Sequence, residues 1–167
     1  KAIRSTGCKK LTFYNVSQDF RVAPAIRKSD IQGSTHAWYP SALNNNYSIE
    51  GNGLLFVDHY EQMLHPDLRG KAKIVYEFDA TDMASGFMFP AMAREFRRGG
   101  IQFAAIFSYD MLRTAPMNLG WQTHFFNMVF TPSKAVSSMI AAEVMRRIPR
   151  GKHFGYIRIT ELSTISG

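Results

Sequence analysis

The sequence predicts an α/β protein in which the strands of a parallel sheet alternate with helices. Four short runs rich in β-branched and aromatic residues recur along the chain, each bounded by Gly, Pro or Asp. Helix-like segments separate these runs. Two of the runs are apolar on both faces, which is typical of parallel strands covered by helices. Strands separated by helices imply right-handed crossovers and therefore a parallel sheet.

The predicted strands are short. In chain order they are Lys10 to Ser17, Gly33 to Pro40, Lys71 to Ala80 and Ile101 to Asp110. The third and fourth are the runs that are apolar on both faces. After Gly151 the pattern changes to alternation, with Ile157, Ile159 and Glu161 on one face. We expect residues 151–167 to form a trailing strand, the first of an appended β domain.

Three helices are predicted between the strands, over Phe20 to Lys28, Asp58 to His65 and Pro90 to Arg98. Pro90 suits the first turn of its helix, and Gly99 and Gly100 end that helix.

The last helix has the clearest signals. Thr131 is predicted to cap it, Pro132 to take its first position, and Pro149 and Gly151 to end it. Its apolar residues recur at helical spacing, and we expect this stripe to pack into the core. The stripe consists of Val136, Met139, Ile140 and Val144.

Two architectures fit this element order. A doubly wound sheet usually carries a glycine-rich phosphate loop after its first strand, but Asn15 to Asp19 occupies that place, and the chain contains neither G-x-G-x-x-G nor a P-loop. The other architecture is part of a (β/α)8 barrel, in which eight units take about 250 residues. We therefore expect residues 1–150 to form roughly the second half of such a barrel, strands five to eight. The inner face of the sheet must then be covered by more barrel.

Composition excludes several classes of protein. The chain is 46% hydrophobic and 13% aromatic, which excludes intrinsic disorder. No apolar run reaches the roughly 18 residues of a membrane-spanning helix. A lone Cys8 excludes an internal disulfide framework and a zinc site built on several cysteines. The five histidines form no H-x-H or H-E-x-x-H pair, so the sequence predicts no metal site.

The charge balance raises nucleic acid as a partner to be weighed. Twenty basic and 13 acidic residues give a net charge of +7. The basic residues do not gather in one run, and several lie near expected helix ends, where the helix dipole favours cations. This distribution favours solvated surface charge over a phosphate-binding stripe.

Polar and aromatic residues fall at the ends of the predicted strands, where a barrel builds its active site. Glu77 is the strongest catalytic candidate, because it ends an apolar strand and alternation places it on the same face as Val75. Two interpretations stay open for it, a catalytic carboxylate or a structural one. The aromatic residues either stack on sugar rings or pack in the core. The candidate substrate-binding residues are Asn15, His36, Trp38, Tyr39, Tyr76, Tyr109, Trp121 and His124.

Residues 71–142 resemble the later strands of retaining (β/α)8 glycoside hydrolases, the cellulase-like and agarase-like enzymes. The segment KIVYEFDA resembles their seventh strand, which ends in the nucleophilic glutamate, and IQFAAIFSYD resembles the eighth. GWQTHFFN and the helix after Pro132 resemble the loop and closing helix that follow. KLTFYNVS and GSTHAWYP would then be strands five and six.

This resemblance implies a glycosidase with Glu77 as nucleophile, a carbohydrate substrate, no cofactor, and a secreted or periplasmic location. It also implies that the acid/base glutamate, which follows an asparagine on strand four, would lie before Lys1, because the chain contains no Asn-Glu pair. The partner of this chain would be the missing N-terminal half of the barrel or a second copy of the chain. Other carboxylates are available, but no motif places them: Glu50, Asp58, Asp79 and Asp110. The alternative function is a non-catalytic α/β domain that binds carbohydrate or nucleic acid.

Overall fold

The computed structural model describes residues 2–40, 53–80, 86–117 and 126–155. The strands are β1 (Phe13–Ser17), β2 (Gly33–Trp38), β3 (Ala72–Phe78) and β4 (Phe103–Ile106). The helices are α1 (Ala2–Ser5), α2 (Ala23–Lys28), α3 (Met88–Arg98) and α4 (Pro132–Arg147). Short 3₁₀ turns occupy Phe20–Val22, Gly53–His59, Glu61–Leu64, Pro66–Leu68 and Ala115–Met117.

The four strands form one sheet in the order β1-β2-β3-β4, and each neighbouring pair is parallel. This confirms the predicted parallel α/β sheet and the position of all four strands. Strand order follows chain order, so the described strands contain no reversal of the kind that defines a doubly wound sheet.

The helices α2, α3 and α4 pack on one face of this sheet. The larger core cluster joins Val75 and Phe78 of β3 to residues of α3 and α4, and a smaller cluster joins Val16 of β1 to α2. Phe20, which packs against the smaller cluster, stacks on His36 with ring centroids 5.5 Å apart. Because His36 pairs with Val75 in the sheet, both clusters lie on the same face.

Two rows of register partners show how differently the two faces are covered. The helix-side row contains His36, Val75 and Ala104; the first two are 0% exposed, and Ala104 is partly buried. The open-side row, next to it, consists of Asn15, Thr35, Ile74 and Phe103. None of these four side chains is buried, and Phe103 is 58% exposed.

Two predicted helices differ in detail. The segment Asp58 to His65 forms 3₁₀ turns instead of an α-helix, because Tyr60 interrupts it with a non-helical backbone and packs its ring on Trp38. The helix predicted from Pro90 begins at Met88, and its predicted end is confirmed by Gly99 at the C-cap and Gly100 at φ +77°. A left-handed φ of this kind favours glycine.

The prediction that the stripe of α4 packs into the core is wrong for three of its four residues. Val136, Met139 and Ile140 are 56%, 65% and 49% exposed. The side of α4 that faces the protein is made of small or polar residues instead, namely Lys134, Ala135, Ser137 and Ala141. Small side chains let α4 approach α3 closely, and this requirement outweighs hydrophobic periodicity.

The ends of α4 follow the prediction in position. Pro132 is its first residue, and Ile148 is its C-cap, directly before Pro149. Thr131 is the N-cap residue, but its hydroxyl does not cap the helix; it donates to the Asn127 carbonyl at 2.8 Å and accepts from the Asn127 amide at 2.9 Å. Residues 151–155 form no strand, and the predicted trailing strand otherwise lies outside the described residues.

Candidate functional site

Glu77 lies at the carboxyl end of β3, on the face away from the helices. It pairs with Ala37, and the next pair along is Trp38 with Phe78, both members of the helix-side core. Adjacent strand residues point to opposite faces, so Glu77 is directed to the open side. The prediction that it shares a face with Val75 is wrong, because β3 shifts register between the two residues.

Tyr39 lies close enough to Glu77 at this strand end for the carboxylate to act on its hydroxyl. Burial raises the pKa of the Tyr39 hydroxyl above its usual value, and the negative charges of Glu77 and Asp79 raise this pKa further. Tyr39 therefore keeps its proton across the physiological pH range.

Further polar side chains contact one another between neighbouring strands of the sheet. The Tyr76 hydroxyl lies 3.2 Å from Ser17 Oγ. Asn15 Oδ1 accepts from Thr35 Oγ1 at 2.9 Å and from the Ser17 amide at 3.1 Å. The structure thus brings three predicted site residues, Tyr39, Tyr76 and Glu77, to the carboxyl ends of β2 and β3, and places Asn15 in the middle of β1.

His36 and Trp38, which we also predicted to bind substrate, lie in the core on the helix side. His36 is 0% exposed, and its Nε2 lies 2.9 Å from Ser34 Oγ. Burial, with a smaller contribution from the charge of Lys73, lowers the pKa of His36 to about 4. Trp38 is 8% exposed and stacks on Tyr60 with centroids 4.6 Å apart.

Of the other predicted site residues, one follows β4 and two lie outside the described chain. Tyr109 is 49% exposed and forms a single bridge with Phe126, whose ring it meets edge-on at 5.5 Å. Trp121 and His124 lie outside the described residues.

Three candidates for the second carboxyl group, Asp58, Asp79 and Asp110, bind other groups of the protein. The fourth candidate, Glu50, lies outside the described residues. Asp58 forms an ion pair with Arg94, and Asp110 Oδ2 accepts from the Phe126 amide at 3.3 Å. Asp79 is 0% exposed and forms an ion pair with Lys134, which is also 0% exposed. Sequence reasoning missed the role of Lys134, because its partner is 55 residues away and no local pattern joins them.

A small cavity of about 180 Å³ lies beside Tyr39, at the carboxyl ends of β1 and β2. Its walls include the polar side chains of Gln18, His59 and Gln62 together with the aromatic residues Trp38 and Tyr60. Amide and imidazole groups next to aromatic rings can bind a hydroxyl-bearing ligand, which presents polar edges and apolar faces.

Two kinds of feature are absent from the described part of the chain. No group of three or more His, Cys, Asp or Glu side chains is arranged there to hold a metal ion. No helix there has the length and apolar character needed to cross a membrane.

Comparison with known proteins gave no match to a family model, to a curated protein or to a solved structure.

Proposed function

We propose that this chain is part of a retaining glycoside hydrolase barrel and that Glu77 is its nucleophile. The observation that carries the proposal is the Glu77 carboxylate at the carboxyl end of a parallel strand, on the open side and close to the Tyr39 hydroxyl. In a (β/α)8 barrel this end of the strands builds the active site.

The arrangement of the sheet supports the barrel. Parallel strands in chain order with helices on one face are the repeating unit of a (β/α)8 barrel. The open-side row would then face the barrel interior, and the remaining strands would cover it. These strands would come from the missing N-terminal half or from a second copy.

The proposed chemistry uses Glu77 in the first of two steps. One carboxylate oxygen forms a bond to the anomeric carbon, while the bond to the leaving oxygen breaks and that oxygen takes a proton from a second carboxyl group. The two carboxyl groups of a retaining enzyme stand about 5–5.5 Å apart. Tyr39, whose hydroxyl lies close to the carboxylate and stays protonated, would orient it as a hydrogen-bond donor. We assign no described residue to the second carboxyl group.

A test of Glu77 must not depend on that second group. Glycosyl fluorides with fluorine at C2 suit this purpose: the fluoride at C1 leaves with its electron pair and needs no proton, and the C2 fluorine slows hydrolysis of the adduct. We expect one member of a panel of gluco, galacto, manno and xylo reagents, in both anomeric forms, to label the chain. Intact mass should rise by one fluorosugar, and peptide mapping should place it on Glu77.

Two variants complete the test. Glu77→Gln should abolish labelling, whereas Glu61→Gln, at a carboxylate that is 60% exposed on a 3₁₀ turn, should be labelled like the wild type. Labelling that persists in Glu77→Gln, or a wild-type chain that no reagent labels, would show that Glu77 is not the nucleophile.

The same samples address the alternative functions. Salt-independent binding of a neutral oligosaccharide by a chain that no reagent labels would indicate a non-catalytic carbohydrate-binding domain. Nucleic acid affinity that falls steeply with added salt would indicate the basic domain instead. Many arginines are already paired with carboxylates, as Arg94 is with Asp58 and Arg146 and Arg147 are with Glu143, which favours sugar over phosphate.

A further inference from the structure

A fully buried ion pair lies two residues beyond Glu77. The ammonium of Lys134 is 2.7 Å from Asp79 Oδ1 and 3.0 Å from Asp79 Oδ2, and both side chains are 0% exposed. Asp79 directly follows β3, and Lys134 is the third residue of α4. The pair therefore joins the strand end that carries Glu77 to the helix packed beside α3.

Stability alone does not account for this pair. Removing two charges from water costs free energy that their attraction only partly offsets, and apolar side chains of similar volume often stabilise such a position equally well or better. A cation in the first turn of a helix also opposes the helix dipole. The ring of Phe89, 5.5 Å from the ammonium, compensates in part.

The pair restrains the backbone just beyond Glu77. Phe78, the residue between Glu77 and Asp79, is 4% exposed and packs edge-on against Phe89 and Phe96. Asp79 Oδ1 accepts from the amide of Ala80 at 2.7 Å, which fixes the turn away from the strand. Glu77 thus stands at a strand end that is held by the aromatic core at Phe78 and by the ion pair at Asp79.

We propose that Asp79 and Lys134 are positioning residues, which hold the end of β3 where the Glu77 carboxylate lies close to the Tyr39 hydroxyl. Their importance for catalysis rests on the proposed function of Glu77. The geometric part of the proposal, that the pair maintains the contact between Tyr39 and Glu77, stands without that function.

The test replaces both charges at once, so that neither member of the pair is left buried without the other. In Asp79→Asn with Lys134→Met, asparagine keeps an acceptor for the Ala80 amide and methionine keeps the length of the lysine stem. Two quantities are measured: the nuclear Overhauser effect between the Tyr39 ring and the Glu77 side chain, and the rate at which the reactive fluorosugar labels Glu77. We expect the first to weaken and the second to fall about tenfold or more, because small displacements of a reacting group are costly.

The matched control removes another buried pair. Arg98 Nη2 lies 2.5 Å from Glu95 Oε1, the Glu95 side chain is 2% exposed, and both residues belong to the last turns of α3, at the other end of the sheet. Glu95→Gln with Arg98→Met should therefore leave the Tyr39–Glu77 contact and the labelling rate unchanged. An equal loss in this control would assign the effect to general loosening and overturn the proposal.

The outcomes separate the two proposals. A folded Asp79 and Lys134 double variant with an unchanged Tyr39–Glu77 contact overturns the positioning role, whatever the labelling. A weakened contact in a protein whose wild type is never labelled supports the positioning role and contradicts the nucleophile. If the double variant does not fold, Asp79→Glu, which keeps the charge and lengthens the side chain, replaces it; an unchanged contact and labelling rate there again overturn the proposal.

Discussion

The two faces of the sheet are built from the same strands but are closed to different extents. On the helix-side row, His36 and Val75 are 0% exposed beneath the aromatic core. On the open-side row, whose residues on β2, β3 and β4 come one position before those of the helix-side row, Phe103 is exposed, as is Asn15 on β1. The helices α2, α3 and α4 close one face only. Polar and reactive side chains, Glu77 among them, are found on the other.

The comparison teaches that an apolar pattern on both faces of a strand does not tell how each face is buried. Ile74 and Val75 are adjacent in β3 and similar in chemistry, yet only Val75 reaches the core. In the proposed barrel, Ile74 and Phe103 are apolar because other strands would cover them. Substitutions that probe one face against the other can test this interpretation.

The largest contrast is expected between two phenylalanines. Phe96 is 0% exposed and contacts the rings of Trp38 and Phe78, whereas Phe103 is 58% exposed on the open-side row. Phe96→Ala should lower the free energy of unfolding by about 3–5 kcal/mol, because it leaves a cavity. Phe103→Ala should lower it by less than about 1 kcal/mol. Denaturant unfolding measures both, and a similar cost for the two would mean that the open side is covered in solution.

The free energy of unfolding is expected to depend on pH through His36, which lies on the helix-side row. Burial lowers its pKa from 6.5 to about 4, so the unfolded chain binds a proton more readily than the folded one between these values. The contribution of neutral, buried His36 to stability is fully present above pH 6.5 and is lost as the pH falls towards 4. At about 1.4 kcal/mol for each pKa unit, the loss attributable to His36 is about 3 kcal/mol.

His36→Phe isolates this contribution. Phenylalanine keeps an aromatic ring for the stack on Phe20 and removes the titrating group. Between pH 6.5 and 4 this variant should lose less stability than the wild type, while His153→Asn, at an exposed histidine, should follow the wild type. Equal pH dependence in His36→Phe and the wild type would show that His36 is not held neutral by burial.

Signals in the local backbone were sufficient to predict much of the fold. Pro132 and the pair Gly99 and Gly100 marked helix boundaries correctly, because the conformations that these residues allow are set by their own covalent structure. Apolar runs located all four strands, and the strand-end rule located Glu77 at the carboxyl end of β3.

Features that depend on distant residues were not predictable from these patterns. The register shift in β3, which moves Glu77 to the face opposite Val75, arises from pairing with β2. The approach of Tyr39 to Glu77 and the ion pair between Asp79 and Lys134 join segments that are far apart in the sequence. Periodicity also marked the wrong side of α4, since it reports where large apolar residues lie and not which side has room for a neighbour.

The smallest effect is expected on that exposed side of α4. Met139 and Ile140 are 65% and 49% exposed, whereas Ala141 is 6% exposed on the side that packs against the protein. Met139→Lys with Ile140→Lys should change the free energy of unfolding by no more than about 0.5 kcal/mol, because lysine is a good helix former and little buried surface is lost. Ala141→Leu should cost about 1–3 kcal/mol through overpacking. If the double lysine variant costs as much as Ala141→Leu, a part of the protein covers this side of α4. The contrast between closed and open surfaces would then hold for the sheet but not for α4.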